Sequence, residues 1–258
     1  MKISLITVCF NSEEHIAATL QSVDDQTWSD IEHIIIDGGS SDSTLKIIAQ
    51  FHQPWRRVVS GSDDGIYDAM NKGIEIATGD IIGFINSDDF YTSNSSLREI
   101  GSVFSDENVQ ACWGDLCYVE RLNISKIRRY WIGGAFSNNK FVKGWNPPHP
   151  TFFVRTSLYK MFGGFDLQYK IAADIVLMAR FLEVNKINWR YIPVDLVHMR
   201  LGGITNNSFS NIVKQNLEIS RGFLSLGLPF SWPRFLVHKL FSRALQFITR
   251  PNGNACCD

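Results

Sequence analysis

Apolar and polar positions along the first ninety residues alternate between two rhythms. Residues 3–9 and 32–37 are apolar, β-branched runs that read as strands. Each ends in a polar turn and gives way to apolar residues at helical spacing: Ile16, Leu20 and Val23 behind the cap candidates Asn11 and Ser12, then Leu45, Ile48 and Ala49 behind Ser43. A third unit has a strand near 57–60, a helix over about 66–77 and a strand at 80–86. Three βα units predict a parallel sheet. From about 110 to 130 the pattern turns to strands, Ala111 to Val119 and Ile124 to Tyr130, on either side of a turn, so the order becomes mixed there. The fold class is α/β, a mixed sheet flanked by helices. A composition shift near 205–215 divides the chain into a main domain, 1–205, and a helical extension, 206–258.

In that extension the basic residues Arg221, Arg234, Lys239, Arg243 and Arg250 meet no acid until Asp258. Leu236, Val237, Leu240, Phe241, Leu245 and Ile248 form an apolar helix face with Arg234, His238, Ser242, Arg243 and Gln246 opposite. Such a helix could lie in an anionic membrane interface, or pack on the main domain or another subunit. Its charges and short apolar runs exclude a spanning helix.

Composition narrows the function classes. A chain of 258 residues with 45% hydrophobic content can bury a large core. The net charge of -1 carries no polyanion-binding signature and argues against nucleic acid as a partner. Cys9, Cys112, Cys117, Cys256 and Cys257 are an odd set without C-x2-C pairs, which favours thiols in a reducing compartment, with cytoplasm the default. The first residues lack a signal-peptide cleavage site and read as the first strand.

Chemistry-bearing residues gather at strand ends. Gly79 to Asp89 delivers Asp88 and Asp89 after a continuous apolar strand, where two hard oxygen donors can hold Mg²⁺ or Mn²⁺; an acidic turn that caps a later helix is the alternative. Asp37 precedes Gly38 and Gly39, so it can accept hydrogen bonds from a base or ribose, or simply cap the turn. Neither a G-x-G-x-x-G nor a Walker loop is present, which argues against a dinucleotide dehydrogenase or P-loop ATPase.

Four segments, Ile6 to Asn11, Ile36 to Thr44, Asp63 to Gly73 and Asn86 to Asp89, together resemble in order and spacing the family 2 glycosyltransferases of GT-A fold. The likeness spans roughly the first 205 residues and is greatest to the branch that builds bacterial exopolysaccharide, colanic-acid-like and O-antigen chains. It implies a nucleotide-sugar-binding half, 1–110, and an acceptor-binding half, 111–205. It further implies that Asp37 binds the base, that Asn11, Asp63 and Asp88 line the nucleotide pocket, and that Asp88 and Asp89 bind the metal. Phe10 replaces the family's frequent tyrosine, and Met70 stands where many relatives carry arginine, which leaves Lys72 as the substitute basic partner for the diphosphate. The implied donor is a nucleotide-sugar, UDP-sugar favoured, and the acceptor a saccharide or a lipid-linked one.

An inverting transferase needs a base, and Asp174 is the candidate: Ile171, Leu177 and Met178 flank it at helical spacing, so a function or a partner must retain its carboxylate there. A first-turn aspartate favoured by the helix dipole is the other reading. The stretch Gly163 to Asp166 followed by Ala173-Asp174 resembles the family's approach to its catalytic base, with Asp166 a turn residue. His149, in the rigid Trp145 to Thr151 loop, could contact a sugar hydroxyl or decorate the surface; Trp131 and Trp145 could stack on sugars or fill the core. His198 could reach the metal or diphosphate, and Arg200, before two glycines, could bind phosphate. A nucleotidyltransferase of related fold would share the acidic metal site, and a non-catalytic nucleotide-sugar-binding protein would share the fold.

Overall fold

The computed structural model describes residues 1–202 and 209–248. Its first half is built from β1 (Ile3–Cys9), α1 (Ile16–Asp24), β2 (Ile31–Asp37), α2 (Thr44–Gln50), β3 (Arg56–Ser60), α3 (Ile66–Ile76) and β4 (Ile81–Phe84). These strands run parallel in the order β3-β2-β1-β4, as three βα units require. The second half adds β5 (Phe90–Tyr91), α4 (Ser96–Val103), β6 (Ala111–Val119), β7 (Ile127–Trp131), β8 (Phe153–Arg155), α5 (Thr156–Phe162), α6 (Ala173–Ala179), β9 (Trp189–Arg200), α7 (Phe209–Ser225) and α8 (Trp232–Ile248). β8 joins the sheet antiparallel to β4, β6 antiparallel to β8, and β9 parallel to β6, so one mixed sheet spans both halves.

Side-chain alternation along β1 divides the core. Ile6 and Val8 face one cluster with Ile34, Ile36, Phe84, Trp113 and the buried face of α6; Ile3 and Leu5 face another with Leu97, Ile100, Phe153 and Leu196. Gly73 lets α3 settle on β1, because a side chain there would overlap Ile6. Ile219 and Phe223 of α7 and Phe235 of α8 belong to the first cluster, and Gly222 admits Val176 of α6 into the space a side chain would fill. Helices α7 and α8 therefore pack into the main core. The expected boundary between 205 and 206 lies outside the described residues, as do Arg250, Cys256 and Cys257.

Three local expectations change. Asn11 and Ser12 do not cap α1, which begins only at Ile16; Asn11 instead adopts a left-handed backbone (φ 48°) and its Oδ1 accepts the Ser41 amide at 2.9 Å. The strand expected at Ile124 to Tyr130 is Ile127–Trp131, since the turn after β6 is longer. The strand before the acidic pair ends at Phe84, and a turn carries Asn86 to Asp89.

Candidate active site

The carboxyl ends of β1, β3 and β4 open into a cavity of about 640 Å³ that extends past α6 to β7 and α8. Phe10, Asn11, Asp63, Asp88, His149 and Asp174 all line it, so the fold brings together residues spread over more than half the chain. Trp131 and Trp145 also reach its wall.

At the first end, Phe10 presents a largely exposed ring (63%). Gly38 is packed between that ring and Asp63: a Cβ on it would lie 2.6 Å from Asp63 Oδ2 and 3.5 Å from the Phe10 ring. Asp63 in turn accepts the Gly65 amide at 2.9 Å. Asp37 lies behind this wall and does not line the cavity. Its buried carboxylate accepts Ser60 Oγ at 2.6 Å and the amides of Gly39 and Ser40 at 3.1 Å each. Burial alone would raise its pKa, but the bonds from Ser40, Ser60 and Gly39 outweigh it and hold the group below its usual value. This is the turn-capping geometry, and it fixes the loop that shapes the wall. Gly39, at φ 84°, requires glycine.

The acidic pair is unequal. Asp88 lies on the cavity wall, half-buried. Asp89 is fully buried beneath it; Asn86 Nδ2 donates to its Oδ2 at 2.8 Å, while its Oδ1 has no hydrogen-bond partner. Burial, then the Asp88 charge, push the Asp89 carboxyl well above the ordinary carboxylate range. A hard oxygen-ligated cation fits this donor set, since it would offset the repulsion between the two acids. Asp88 would then be the ligand that faces the cavity, with Asp89 supporting from below.

Four expected contacts are corrected. Lys72 does not line the cavity: its Nζ pairs with Asp68 at 2.9 Å, one helical turn away, and donates to the Ser62 carbonyl at 2.9 Å. Arg200 is buried with its guanidinium over the Phe90 ring, and donates to the backbone carbonyl of Asp88, so it anchors the acidic turn from outside the cavity. His198 faces Asp195 (Nε2 to Oδ2, 3.0 Å) and the edge of Phe90, away from the cavity. His149 does not decorate the surface; it is buried, stacked on Phe84 at 5.3 Å, and burial lowers its pKa so the ring is neutral near pH 7.

Asp174 lies in the first turn of α6, half-buried on the cavity wall, and Tyr67 Oη donates to its Oδ1 at 2.9 Å. Burial, then the Asp174 charge, raise the Tyr67 pKa well above its usual value, so the phenol remains a donor. Glu218 of α7 holds the residues that lead into α6, accepting the amides of Ile171 and Ala172 at 2.8 and 3.1 Å. Asn71 clamps the preceding loop by donating to the Phe165 carbonyl at 2.9 Å and accepting its amide at 2.8 Å. Phe165 then stacks on Tyr67. The segment Gly65 to Gly73 thus positions the base candidate, a role the linear sequence did not disclose for Tyr67 or Asn71. Their spacing of four on α3, on its inward face, was the available signal.

Residues 4–163 match the model of Glycosyl transferase family 2. A PGL/p-HBAD biosynthesis glycosyltransferase of Mycobacterium bovis is 28% identical over 254 residues, covering 95% of this chain and 94% of that one. An uncharacterized glycosyltransferase of Mycobacterium tuberculosis is 34% identical over 176 residues, covering 67% of this chain and 65% of the relative. Among solved structures, Staphylococcus aureus TarS in complex with UDP-GlcNAc superposes with TM-score 0.68 at 18% identity, covering 94% of this chain and 72% of that chain. The mannosyltransferase PcManGT of Pyrobaculum calidifontis, in complex with GDP-Man and Mn²⁺, gives TM-score 0.64 at 16% identity, covering 95% and 69%. At such identities the structural likeness speaks to the fold, which is GT-A.

Proposed function

Because this chain belongs to glycosyl transferase family 2 and is a glycosyltransferase, we propose that it inverts the anomeric centre of a nucleotide-sugar, UDP-sugar favoured, in transfer to a saccharide or lipid-linked acceptor of surface polysaccharide. The observation that carries this reading is the Asp174 carboxylate, held at one oxygen by Tyr67 and set on the same cavity as Phe10, Asp63 and Asp88. Phe10 and the Gly38–Asp63 wall take the base and ribose, and Asp37 keeps that wall in shape through its loop. Asp174 accepts the proton of the acceptor hydroxyl as its oxygen attacks the anomeric carbon. His149, which also lines the cavity, can hydrogen-bond a sugar hydroxyl. A Mg²⁺ or Mn²⁺ ion at Asp88 would supply charge stabilisation for the departing nucleoside diphosphate. The complexes of TarS with UDP-GlcNAc and of PcManGT with GDP-Man and Mn²⁺ support a nucleotide-sugar donor and a divalent cation.

The acceptor reading extends to the membrane. α8 turns its polar side, Lys239, Ser242, Arg243 and Gln246, into the cavity and leaves Val237, Leu240 and Phe241 about two-thirds exposed. An amphipathic helix normally does the opposite. With exposed Arg234 and His238 beside this stripe, the helix suits the anionic inner face of a plasma membrane, while no described helix is long and apolar enough to cross one. The deciding experiment is donor turnover: UDP-sugars and GDP-sugars incubated with Mn²⁺ or with chelator, with release of UDP or GDP measured and the anomer of any product assigned by NMR. Retained anomeric configuration would overturn the inverting mechanism, and no release from any donor would overturn the donor reading.

A further inference from the structure

The cavity carries a second charged cluster that the transfer chemistry does not use. Arg129 of β7 and Lys239 and Arg243 of α8 all line it. The Arg129 guanidinium lies 3.8 Å from the centre of the Tyr118 ring, and its Nε is buried without a hydrogen-bond partner. Lys239 Nζ donates to Asn216 Oδ1 at 2.6 Å and lies over the Phe235 ring. Among the described residues no carboxylate pairs with any of the three. Other basic side chains near the cavity are satisfied: Arg121 pairs with Glu14, and Arg200 with the Asp88 carbonyl.

Three cations gathered in a partly buried wall are costly without a counter-charge. Burial, then Arg243, bring the Lys239 pKa down to about 7, and burial, then Arg129, lower that of Arg243, as expected for cations that face one another. The closeness is built in. Gly144, at φ 76°, leaves its side-chain position to Lys239, whose Cβ lies 2.8 Å from where a glycine Cβ would stand.

We propose that Arg129, Lys239 and Arg243 form an anion subsite for a phosphate or diphosphate carried by the acceptor, separate from the place of the donor's own diphosphate. The inference rests on the transferase reading of the cavity. The donor end is made by loops after β1, β3 and β4, whereas the cluster comes from β7 and α8 in the other half of the chain, beside Trp131, Ile132 and Trp145. The same helix exposes its apolar stripe on the reverse side, so a phosphate attached to an apolar chain meets both faces of α8.

The test is calorimetric titration of the full chain in chelator with inorganic phosphate, decyl phosphate below its micellar concentration, and decyl glucoside as the uncharged control. UDP with Mn²⁺ is titrated in parallel. Arg129→Gln and Arg243→Gln lie on different elements, and each should weaken decyl phosphate at least tenfold while shifting UDP affinity less than twofold. Lys239→Met replaces either variant that no longer melts cooperatively. Tighter binding of decyl phosphate than of inorganic phosphate marks a lipid-linked source, and equal binding a soluble phosphoester; both support the subsite. Loss of UDP affinity by the same factor, or no phosphate binding by the wild type, overturns it. A wild type that binds phosphate but not UDP counts against the donor reading and leaves the subsite standing.

Discussion

Tyr67 and Asp174 lie 107 positions apart and are joined by a hydrogen bond of 2.9 Å from the phenol to the carboxylate. The bond fixes one oxygen of Asp174 and leaves the other for an acceptor hydroxyl. Asp174→Asn should therefore lower transfer by roughly 10²–10⁴-fold with UDP affinity unchanged. Tyr67→Phe removes a bond to a charged group, of order 1.5–3 kcal/mol, so turnover should fall by about tenfold or more. Single-turnover transfer and UDP titration on the same preparations check both, and full activity of Asp174→Asn would end the base assignment.

Asp88 and Asp89 should respond differently to substitution. Asp88→Asn removes the carboxylate on the cavity wall, and the tightening of UDP by Mn²⁺ should fall by tenfold or more. Asp89→Asn removes a buried charge that its surroundings disfavour, so the variant should melt no lower than wild type and retain more Mn²⁺-dependent binding than Asp88→Asn. Titrations of UDP in Mn²⁺ and in chelator read the difference; equal loss in the two variants would make the acids equal ligands.

Asp37 belongs to stability more than to contact with a ligand. Asp37→Ala strands the Ser40 amide and Ser60 hydroxyl, at about 1–3 kcal/mol for a buried group left unpaired. Its folded-state pKa lies below the usual 3.8, so its contribution is present above that value and is lost as pH falls through the lower, folded-state one. Thermal melts of wild type and Asp37→Ala at pH 7 and near pH 2 should show the gap between them close in acid. A gap that persists at pH 2 would mean the charge is not what holds the loop.

The first half of this fold was legible because β1, β2 and β4 are largely apolar runs and the helices between them carry apolar stripes, patterns that local sequence carries. Asp88 and Asp174 were legible from a strand end and a helix start, Asn11 and Asp63 only through the resemblance to the family; all four line the cavity. What escaped depends on long-range packing. Lys72 was read toward the diphosphate because its helix starts at the site, yet Asp68 one turn back takes its charge. Arg200 and His198 sit on β9, and whether they face the cavity is decided by the irregular register of β9 against β6. On α8 the polar face read from the sequence is split: Ser242, Arg243 and Gln246 enter the cavity with Lys239, while Arg234 and His238 stay exposed, and a pattern cannot say which side meets the protein. Gly144 and Phe235 decide that by seating the cationic side inward.

That inverted seating makes membrane binding testable at single residues. Val237, Leu240 and Phe241 are each about two-thirds exposed on one stripe, and their burial in a lipid interface would remove apolar surface that the folded chain leaves in water. The full chain should sediment with vesicles containing anionic lipid, and the binding should weaken as salt screens Arg234 and its neighbours. Leu240→Gln together with Phe241→Gln should abolish sedimentation, while UDP binding with Mn²⁺ stays within twofold because neither side chain lines the cavity. Sedimentation that survives both substitutions at low salt would transfer the contact to another surface. Sedimentation that is absent in the wild type would leave the stripe to another subunit, and sedimentation-velocity measurement of the same protein would then show a dimer that the double variant lacks.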